Sequence, residues 1–191
     1  MERIKVMLVE DEEFWRQNIT FELKQVPDIQ LTIVAASKSE VFKKFCHSKV
    51  DVALVDLCLT KHQFDGLEVV KELKERNLER IIVLTSIQDK EIILKSFDCG
   101  TINYITKSSC NDIVASIRDA YHNKVSLHAD VTNILINELK RERKVKVLTP
   151  LEREVYELKE QGLNKKQIAH KLYKSVETVK RQLKVIKSKI N

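Results

Sequence analysis

The chain has 191 residues, of which 43% are hydrophobic and 32% are charged, and its formal net charge is +6. This length allows one or two domains with real hydrophobic cores, and no apolar stretch approaches the roughly 20 residues that a membrane-spanning helix needs. The sequence therefore argues against an integral membrane protein. Because its start also lacks the features of a secretory signal, we expect a soluble, cytoplasmic protein that does not contact a membrane.

The charge is distributed unevenly along the chain. Residues 1–122 carry 17 Lys and Arg against 20 Asp and Glu, a net of −3, whereas residues 123–191 carry 17 against 8, a net of +9. This asymmetry favours a metal or other cation as the partner of the first part and nucleic acid as the partner of the second. The four cysteines have no CxxC spacing, so we expect reduced thiols that are mostly buried.

Apolar runs alternate with amphipathic segments through the first part, which predicts five strands, each followed by a helix. The predicted strands are Ile4–Val9, Gln30–Ala36, Val50–Cys58, Arg80–Thr85 and Ile102–Thr106. The predicted helices are Phe14–Val26, Ser39–His47, Gly66–Arg76, Asp89–Cys99 and Asn111–His122. This alternation predicts an α/β fold, a doubly wound five-stranded parallel sheet with right-handed crossovers.

The pattern changes after residue 122. Apolar residues from Leu127 to Leu139 have helical spacing and precede the charged segment Lys140–Lys144, which predicts a linker helix that runs into a solvated hinge. Three short helices follow, and their start signals are a capping box at Thr149–Glu152, Asn164 and Ser175. Two short helices before a longer basic helix are typical of a small all-α helix-turn-helix domain. We therefore expect a first domain at 1–122, a linker at 123–146 and a helix-turn-helix domain at 147–191.

The strongest candidate site lies where the predicted strands end. The first and third strands are neighbours in such a sheet, so Glu10 and Asp11 should converge with Asp56. Three carboxylates repel one another unless a cation neutralises them, and oxygen ligands with room for water and phosphate favour Mg²⁺. The fourth and fifth strands add the hydroxyl of Thr85 and the ammonium of Lys107. Donor, metal and ammonium together suit a transferring phosphoryl group.

Each of these residues also has an ordinary structural interpretation. Asp56 could be a solvated aspartate that opens a loop, Thr85 a strand threonine and Lys107 a loop lysine. Their joint occurrence at the ends of successive strands favours the functional interpretation.

Glu10-Asp11, Asp56, Thr85, Tyr104 and Lys107, in this order, resemble the receiver domain of bacterial two-component response regulators. The resemblance extends from Arg3 to about His122 and implies a flavodoxin-like fold. It departs from the common pattern at the loop Leu57–Asp65, which is longer and lacks a proline, and at Ser86, where alanine is common.

The resemblance also implies roles for the site residues. Asp56 would be the nucleophile that accepts a phosphoryl group from a sensor histidine kinase, with no enzymatic activity beyond this self-catalysed step. Thr85 and Lys107 would contact the phosphoryl oxygens, and Tyr104 would be the switch aromatic that turns inward as the threonine moves. The implied Mg²⁺ ligands are Glu10, Asp11, Asp56 and the backbone carbonyl of Cys58.

The C-terminal segment resembles the DNA-binding domain of NarL/LuxR-type regulators. The residues that carry this resemblance are Leu148–Glu154, Gly162, Ile168-Ala169, Leu172 and Ser175–Lys180. It implies contacts with promoter DNA from the basic face of the last helix, which holds Lys180, Arg181, Lys184 and Lys187; taken alone, this face could be merely solvated. The family's last helix, which pairs two protomers, is not found before Asn191. Either the chain is shortened, or the homodimer that we expect on phosphorylation forms through other surfaces, on the first domain or on the helix Leu127–Leu139.

Three functions remain in competition. The leading one is a phosphorylation-controlled DNA-binding response regulator. The second is a DNA-binding regulator that acts without phosphorylation and whose receiver domain is structural, and the intact set of acids, threonine and lysine argues against it. The third is a Mg²⁺-dependent phosphohydrolase of the haloacid dehalogenase kind. Such enzymes place a DxD pair after the first strand, whereas Glu10 and Asp11 are adjacent here.

Overall fold

The computed structural model describes residues 3–60, 64–124 and 127–190. The chain forms two compact units, Met1–Ile134 and Leu135–Asn191. Among the described residues, no helix combines the length and the apolar character needed to cross a membrane.

The first unit contains a five-stranded parallel sheet with the strand order β2-β1-β3-β4-β5. The strands are β1 (Ile4–Val9), β2 (Ile29–Ala35), β3 (Val52–Val55), β4 (Ile81–Thr85) and β5 (Asn103–Thr106). This order confirms the predicted doubly wound α/β fold. The third strand is shorter than the predicted Val50–Cys58, because the chain leaves the sheet after Val55 and turns back to meet the next helix at Gly66.

Helices follow the strands in the expected alternation. They are α1 (Glu13–Lys24), α2 (Lys38–Phe45), α3 (Asp65–Glu75), α4 (Lys90–Asp98) and α5 (Ile113–Tyr121). A 3-10 segment, Lys107–Asp112, precedes α5. Ile4, Val6 and Leu8 pack with α1 and α5 in one core cluster, while Met7 and Val9 on the opposite face of β1 are also completely buried. Burial on both faces explains why β1, β3 and β4 consist almost entirely of apolar residues.

The segment before the last three helices differs from the prediction. A single helix, α6 (Ala129–Lys146), continues through the charged Lys140–Lys144, so the predicted solvated hinge is wrong. Lys, Arg and Glu are good helix formers, Arg141 pairs with Glu138 one turn earlier at 2.7 Å, and Val145 is buried. The boundary between the two units falls inside α6.

The second unit ends in the three predicted helices, α7 (Pro150–Glu160), α8 (Lys165–Lys171) and α9 (Val176–Ile190). Capping boxes begin α7 at Thr149 and α8 at Asn164, and the Ser175 hydroxyl accepts a hydrogen bond from the Thr178 amide. The predicted apolar stripe of α9 faces a shared core, in which Val179 and Ile186 are buried. At the other end of α9, Lys189 Nζ lies 2.7 and 2.8 Å from the two carboxylate oxygens of Glu152.

The cysteines differ from the expectation of burial. All four are free thiols, but Cys46 is exposed, and Cys58, Cys99 and Cys110 are only partly buried. Cys46 and Cys99 end helices, and the other two lie in connecting segments, where Cys110 packs against the edge of the core.

Candidate phosphoacceptor site and DNA-binding surface

The acidic residues meet because β1 and β3 are neighbouring parallel strands. Val9 pairs with Val55, so the residues that follow them, Glu10 and Asp56, leave the sheet side by side. The Asp56 amide donates to the Val9 carbonyl at 2.9 Å and fixes this register. The site therefore lies at the carboxyl end of the sheet, as the sequence predicted.

The predicted acid cluster forms in the structure. Carboxylate oxygens of Glu10, Asp11 and Asp56 lie within 4.8 Å of one another. Glu10 and Asp56 are 1% and 4% exposed, whereas Asp11 is exposed. Oxygens bound to one Mg²⁺ lie at most about 4 Å apart, so the three carboxylates are close to the spacing that one ion requires. The donor set is all oxygen and fits a hard cation.

Lys107 completes the buried part of the site. It is the first residue after β5, it is 5% exposed, and its ammonium nitrogen lies 2.7 Å from Asp56 Oδ2. The same nitrogen lies 2.9 Å from Glu10 Oε1 and 2.7 Å from Oε2. One ammonium is therefore shared by two buried carboxylates, and the exposed Asp11 leaves the cluster with excess negative charge. This excess is the electrostatic reason for a further cation at the site.

Burial and charge shift the titration of these groups in different directions. Burial raises the pKa of Glu10 to about 7, although its hydrogen bond with Lys107 opposes the rise. Burial lowers the pKa of Lys107, but its bonds and charge interactions with Asp56 and Glu10 outweigh burial and leave that pKa above its ordinary value. The ammonium form of Lys107 is therefore the stable one at neutral pH.

Thr85 and Tyr104 lie on the adjoining strands. Thr85 is the last residue of β4, is 1% exposed and is in register with Thr106, the residue before Lys107. Tyr104 is completely buried, and its phenol donates to the carbonyl of Ile87, two residues after Thr85, at 2.8 Å. Burial raises the pKa of this phenol. The aromatic ring is thus in the inward position and is tied to the segment that follows the threonine.

The Cys58 backbone contributes a contact of its own. Its amide donates to Asp56 Oδ1 at 3.3 Å, which fixes the second carboxylate oxygen while Lys107 holds the first. Burial, followed by the charges of Asp56 and Asp11, raises the pKa of the Cys58 thiol. The role of its carbonyl as a metal ligand stays a prediction, and residues 61–63 of the longer loop lie outside the described ranges.

Gly66, predicted only as the start of a helix, lies against the backbone of Asp56. A Cβ atom at Gly66 would lie 2.1 Å from the Asp56 carbonyl oxygen and 2.5 Å from Leu57 Cα. The Gly66 amide also donates to the Leu57 carbonyl at 3.0 Å, so the start of α3 presses directly on the backbone of the candidate phosphoacceptor. The sequence carried one signal of this contact: Gly66 lies in the loop region that follows Asp56 at the end of its strand.

Two residues of α1 also contact the site without having been predicted. Arg16 Nη1 donates to the backbone carbonyls of Glu10 at 3.0 Å and Asp11 at 2.6 Å, and so fixes the acid pair. The Lys107 ammonium lies 5.5 Å from the centroid of the Trp15 ring. Only the three-dimensional fold brings α1 against the segment after β5, so spacing in the sequence could not reveal this contact.

The basic face of α9 is accessible. Lys180, Arg181, Lys184 and Lys187 are all exposed, on the side opposite the buried Val179 and Ile186. Glu177, Thr178, Lys180, Arg181 and Lys184 line a shallow groove along this helix. Lys180 Nζ pairs with Glu177 at 3.2 Å. The predicted cluster of cations on one helix face is therefore present.

Fold and site together define a doubly wound α/β domain with a buried acid-and-lysine site, followed by a helix-turn-helix unit. Residues 6–118 match the family model described as the response regulator receiver domain. The chain is 30% identical over 191 residues to the response regulator protein VraR of Staphylococcus epidermidis, a match that covers 98% of this chain and 90% of that protein. With a family model that matches more than half of its length, this protein belongs to the response regulator family.

Two further comparisons agree with this assignment. The chain is 29% identical over 194 residues to the transcriptional regulatory protein LiaR of Bacillus subtilis, with 98% of this chain and 91% of that protein covered. A solved structure of the RcsB response regulator from Salmonella typhimurium matches with a TM-score of 0.66 at 22% identity, covering 100% of this chain and 93% of that one. At this identity the structural match supports the fold.

Proposed function

We propose that this response regulator accepts a phosphoryl group on Asp56 from a sensor histidine kinase and thereby controls its binding to promoter DNA. The observation that carries the proposal is the buried contact between the Lys107 ammonium and Asp56 Oδ2, beside the acids Glu10 and Asp11. A carboxylate held in this way at a strand end suits nucleophilic attack on phosphorus.

Phosphoryl transfer then proceeds by exchange of one bond to phosphorus. A carboxylate oxygen of Asp56 attacks the phosphorus, the bond between phosphorus and the histidine nitrogen of the donor breaks, and that nitrogen keeps the electron pair. Lys107 exchanges its bond to Asp56 for a bond to a phosphoryl oxygen, and the Thr85 hydroxyl donates to another. Mg²⁺, when bound by Glu10, Asp11 and Asp56, with the Cys58 carbonyl as a further ligand, would neutralise charge on the transferring group.

The signal leaves the site through β4 and β5. Recruitment of Thr85 to the phosphoryl group draws the end of β4 toward Asp56, and the Tyr104 ring, which is already inward and bonded to the Ile87 carbonyl, is held in that position by the same movement. The Thr85 and Tyr104 pair is then the two-state element that coupling between distant sites requires.

The second unit supplies the output. We assign contacts with the DNA backbone and bases to Lys180, Arg181, Lys184 and Lys187 on the exposed face of α9, as a recognition helix would make in the major groove. The relative LiaR is named a transcriptional regulatory protein, and structures of the neighbour RcsB include dimers bound to DNA. A homodimer that forms on phosphorylation follows as part of the proposal.

Incubation with acetyl phosphate and Mg²⁺, followed by intact-protein mass spectrometry, tests the receiver role. We expect one stable acyl phosphate per chain. Continuous release of inorganic phosphate without a labelled intermediate would instead favour a phosphohydrolase. Selection of bound DNA from a random pool, with and without the phosphodonor, then tests the output. Equal recovery of the same sequences in both samples would favour a structural receiver domain.

A further inference from the structure

The Trp15 ring lies beside the ammonium group of Lys107 in the candidate phosphorylation site. Trp15 lies in the first turn of α1 and is partly buried, with its ring packed against the core shared by α1, α5 and the sheet. The centroid of that ring lies 5.5 Å from Lys107 Nζ. This is within the distance at which an aromatic face attracts an ammonium group.

The orientation of the ring is fixed from two sides. The hydrophobic core holds it on one side, and Phe14 packs edge-on against it with the ring centroids 5.6 Å apart and the planes at 81°. Phe14 itself is 62% exposed and lies on the solvent side of this pair. Trp15 is therefore held where its ring meets the ammonium.

Lys107 needs such a contact because its other bonds must change during phosphoryl transfer. In the structure, its ammonium bonds to both Asp56 and Glu10. When a phosphoryl group arrives, the ammonium must exchange its bond to Asp56 for a bond to a phosphoryl oxygen. A flexible lysine side chain could instead move away from Asp56 and bond only to Glu10. A fixed ring contact that persists through this exchange keeps the ammonium oriented toward Asp56. A group held in advance needs no reorganisation in the transition state.

We propose that Trp15 is a positioning residue that acts through Lys107 to accelerate phosphorylation of Asp56. The inference rests on the proposed role of Asp56 as phosphoacceptor. The aromatic ring, and not merely apolar bulk, is the property that matters, because a leucine would pack on the core but offer no face to the ammonium.

The test compares Trp15→Leu, Trp15→Phe and Phe21→Leu in the full chain, with labelling by acetyl phosphate followed by mass spectrometry. Phe21 is the matched control, since it is an exposed aromatic residue of the same helix. We expect labelling to slow about 3- to 10-fold in Trp15→Leu and to stay within about twofold of wild type in the other two. Mg²⁺ affinity, measured by calorimetry, should stay within about twofold in Trp15→Leu, because the ring contacts the ammonium and not the acids.

A structural role for Trp15 predicts a different set of results. Wild-type labelling in Trp15→Leu, an equal loss in Trp15→Phe, or a loss of Mg²⁺ affinity that matches the loss of rate would overturn the proposal. Coupling to Lys107 gives a second criterion. In a Lys107→Gln background, Trp15→Leu should cause no further loss of rate, and a full additional loss would also overturn it.

A separate measurement distinguishes failure of this inference from failure of the proposed function. Trp15 is the single tryptophan of the chain, so its fluorescence reports the ring alone. Without any phosphodonor, Lys107→Gln should shift the emission relative to wild type, and an unchanged spectrum would contradict the contact in solution. If wild-type protein shows no labelling but the emission shift occurs, the proposed function fails while the contact stands.

Discussion

Lys107 Nζ lies 2.7 Å from Asp56 Oδ2, although the two residues are 51 positions apart in the sequence. They follow β5 and β3, which are not adjacent in the sheet because β4 lies between them. Both side chains are at most 5% exposed. Each charge is therefore compensated inside the protein and not by water, so the loss of either partner leaves a buried charge.

Removal of the Lys107 ammonium should slow phosphorylation of Asp56 but leave Mg²⁺ binding intact. We expect Lys107→Ala to slow labelling by acetyl phosphate on the order of 100-fold, as loss of one donor to a developing oxyanion does. Without Mg²⁺, the free energy of unfolding in urea should fall by about 3 kcal/mol, because two buried carboxylates lose their partner. Mg²⁺ binding should be retained, since the metal contacts the acids. Lys43→Ala on the exposed face of α2 is the control, and a collapse of Mg²⁺ affinity in Lys107→Ala would contradict the assigned role.

Gly66→Ala should displace the backbone of Asp56 and so distort the phosphorylation site. The added Cβ would meet the Asp56 carbonyl oxygen at 2.1 Å, so either α3 or the Asp56 backbone must move. We expect a loss of about 1–3 kcal/mol in unfolding free energy together with slower labelling, as overpacked cores show. Gly162→Ala is a comparison that strains the backbone, since its φ is 85°, but it brings nothing within 4 Å of the added atom and lies in the second unit, away from Asp56. Labelling as fast in Gly66→Ala as in Gly162→Ala would show that this contact is unimportant.

The sequence predicted the parts of this protein that depend on local patterns. Apolar runs showed where the buried strands end, and five chemically distinctive residues lie at or next to those ends: Glu10, Asp11, Asp56, Thr85 and Lys107. The capping boxes at Thr149 and Asn164 were also predictable, because both partners lie within four residues of each other.

Contacts that depend on packing between distant segments could not be predicted in this way. Trp15 reaches Lys107 only because α1 lies against the end of β5, and Gly66 contacts Asp56 only because the loop after β3 folds back. The predicted hinge at Lys140–Lys144 failed for another reason. Charge alone indicates solvent exposure, and an exposed segment rich in helix formers stays helical when its neighbours are ordered.

Mg²⁺ affinity should depend on pH through Glu10. Burial raises the pKa of Glu10 from 4.5 to about 7. In the metal-free protein, the protonated carboxyl group therefore stabilises the folded state below pH 4.5, and this stabilisation is lost as the pH rises to 7. Mg²⁺ competes with this proton, and the apparent Kd should rise about tenfold per unit as the pH falls below that pKa. Calorimetric titrations on either side of neutral pH measure the effect. Glu10→Gln should remove the steep dependence, and a wild-type Kd that does not change with pH would refute this assignment.

The basic face of α9 should determine DNA affinity. Lys180 already pairs with Glu177 in the free protein, so we expect Lys184→Ala to cause the larger loss. Removal of one phosphate contact should lower the slope of log affinity against log salt by about one unit, whereas removal of a base contact should relax specificity. Fluorescence anisotropy on selected DNA at several salt concentrations distinguishes the two. The exposed Lys159 of α7 provides the control. Equal DNA affinities in Lys180→Ala, Lys184→Ala and Lys159→Ala would show that the basic face of α9 is solvated and does not contact DNA.

Phosphorylation of Asp56 should control DNA binding, and Asp56→Asn tests this while keeping the shape of the side chain. The measurement is DNA affinity with and without acetyl phosphate and Mg²⁺, alongside the phosphoryl content of the same samples by mass spectrometry. In wild type, we expect one phosphoryl group per chain and a change in affinity of about 5-fold or more, as coupling between sites typically gives. In Asp56→Asn, both the label and the change in affinity should be absent. Full labelling of Asp56→Asn would show that another residue accepts the phosphoryl group, and the same change in affinity without a label would show that phosphorylation of Asp56 does not control DNA binding.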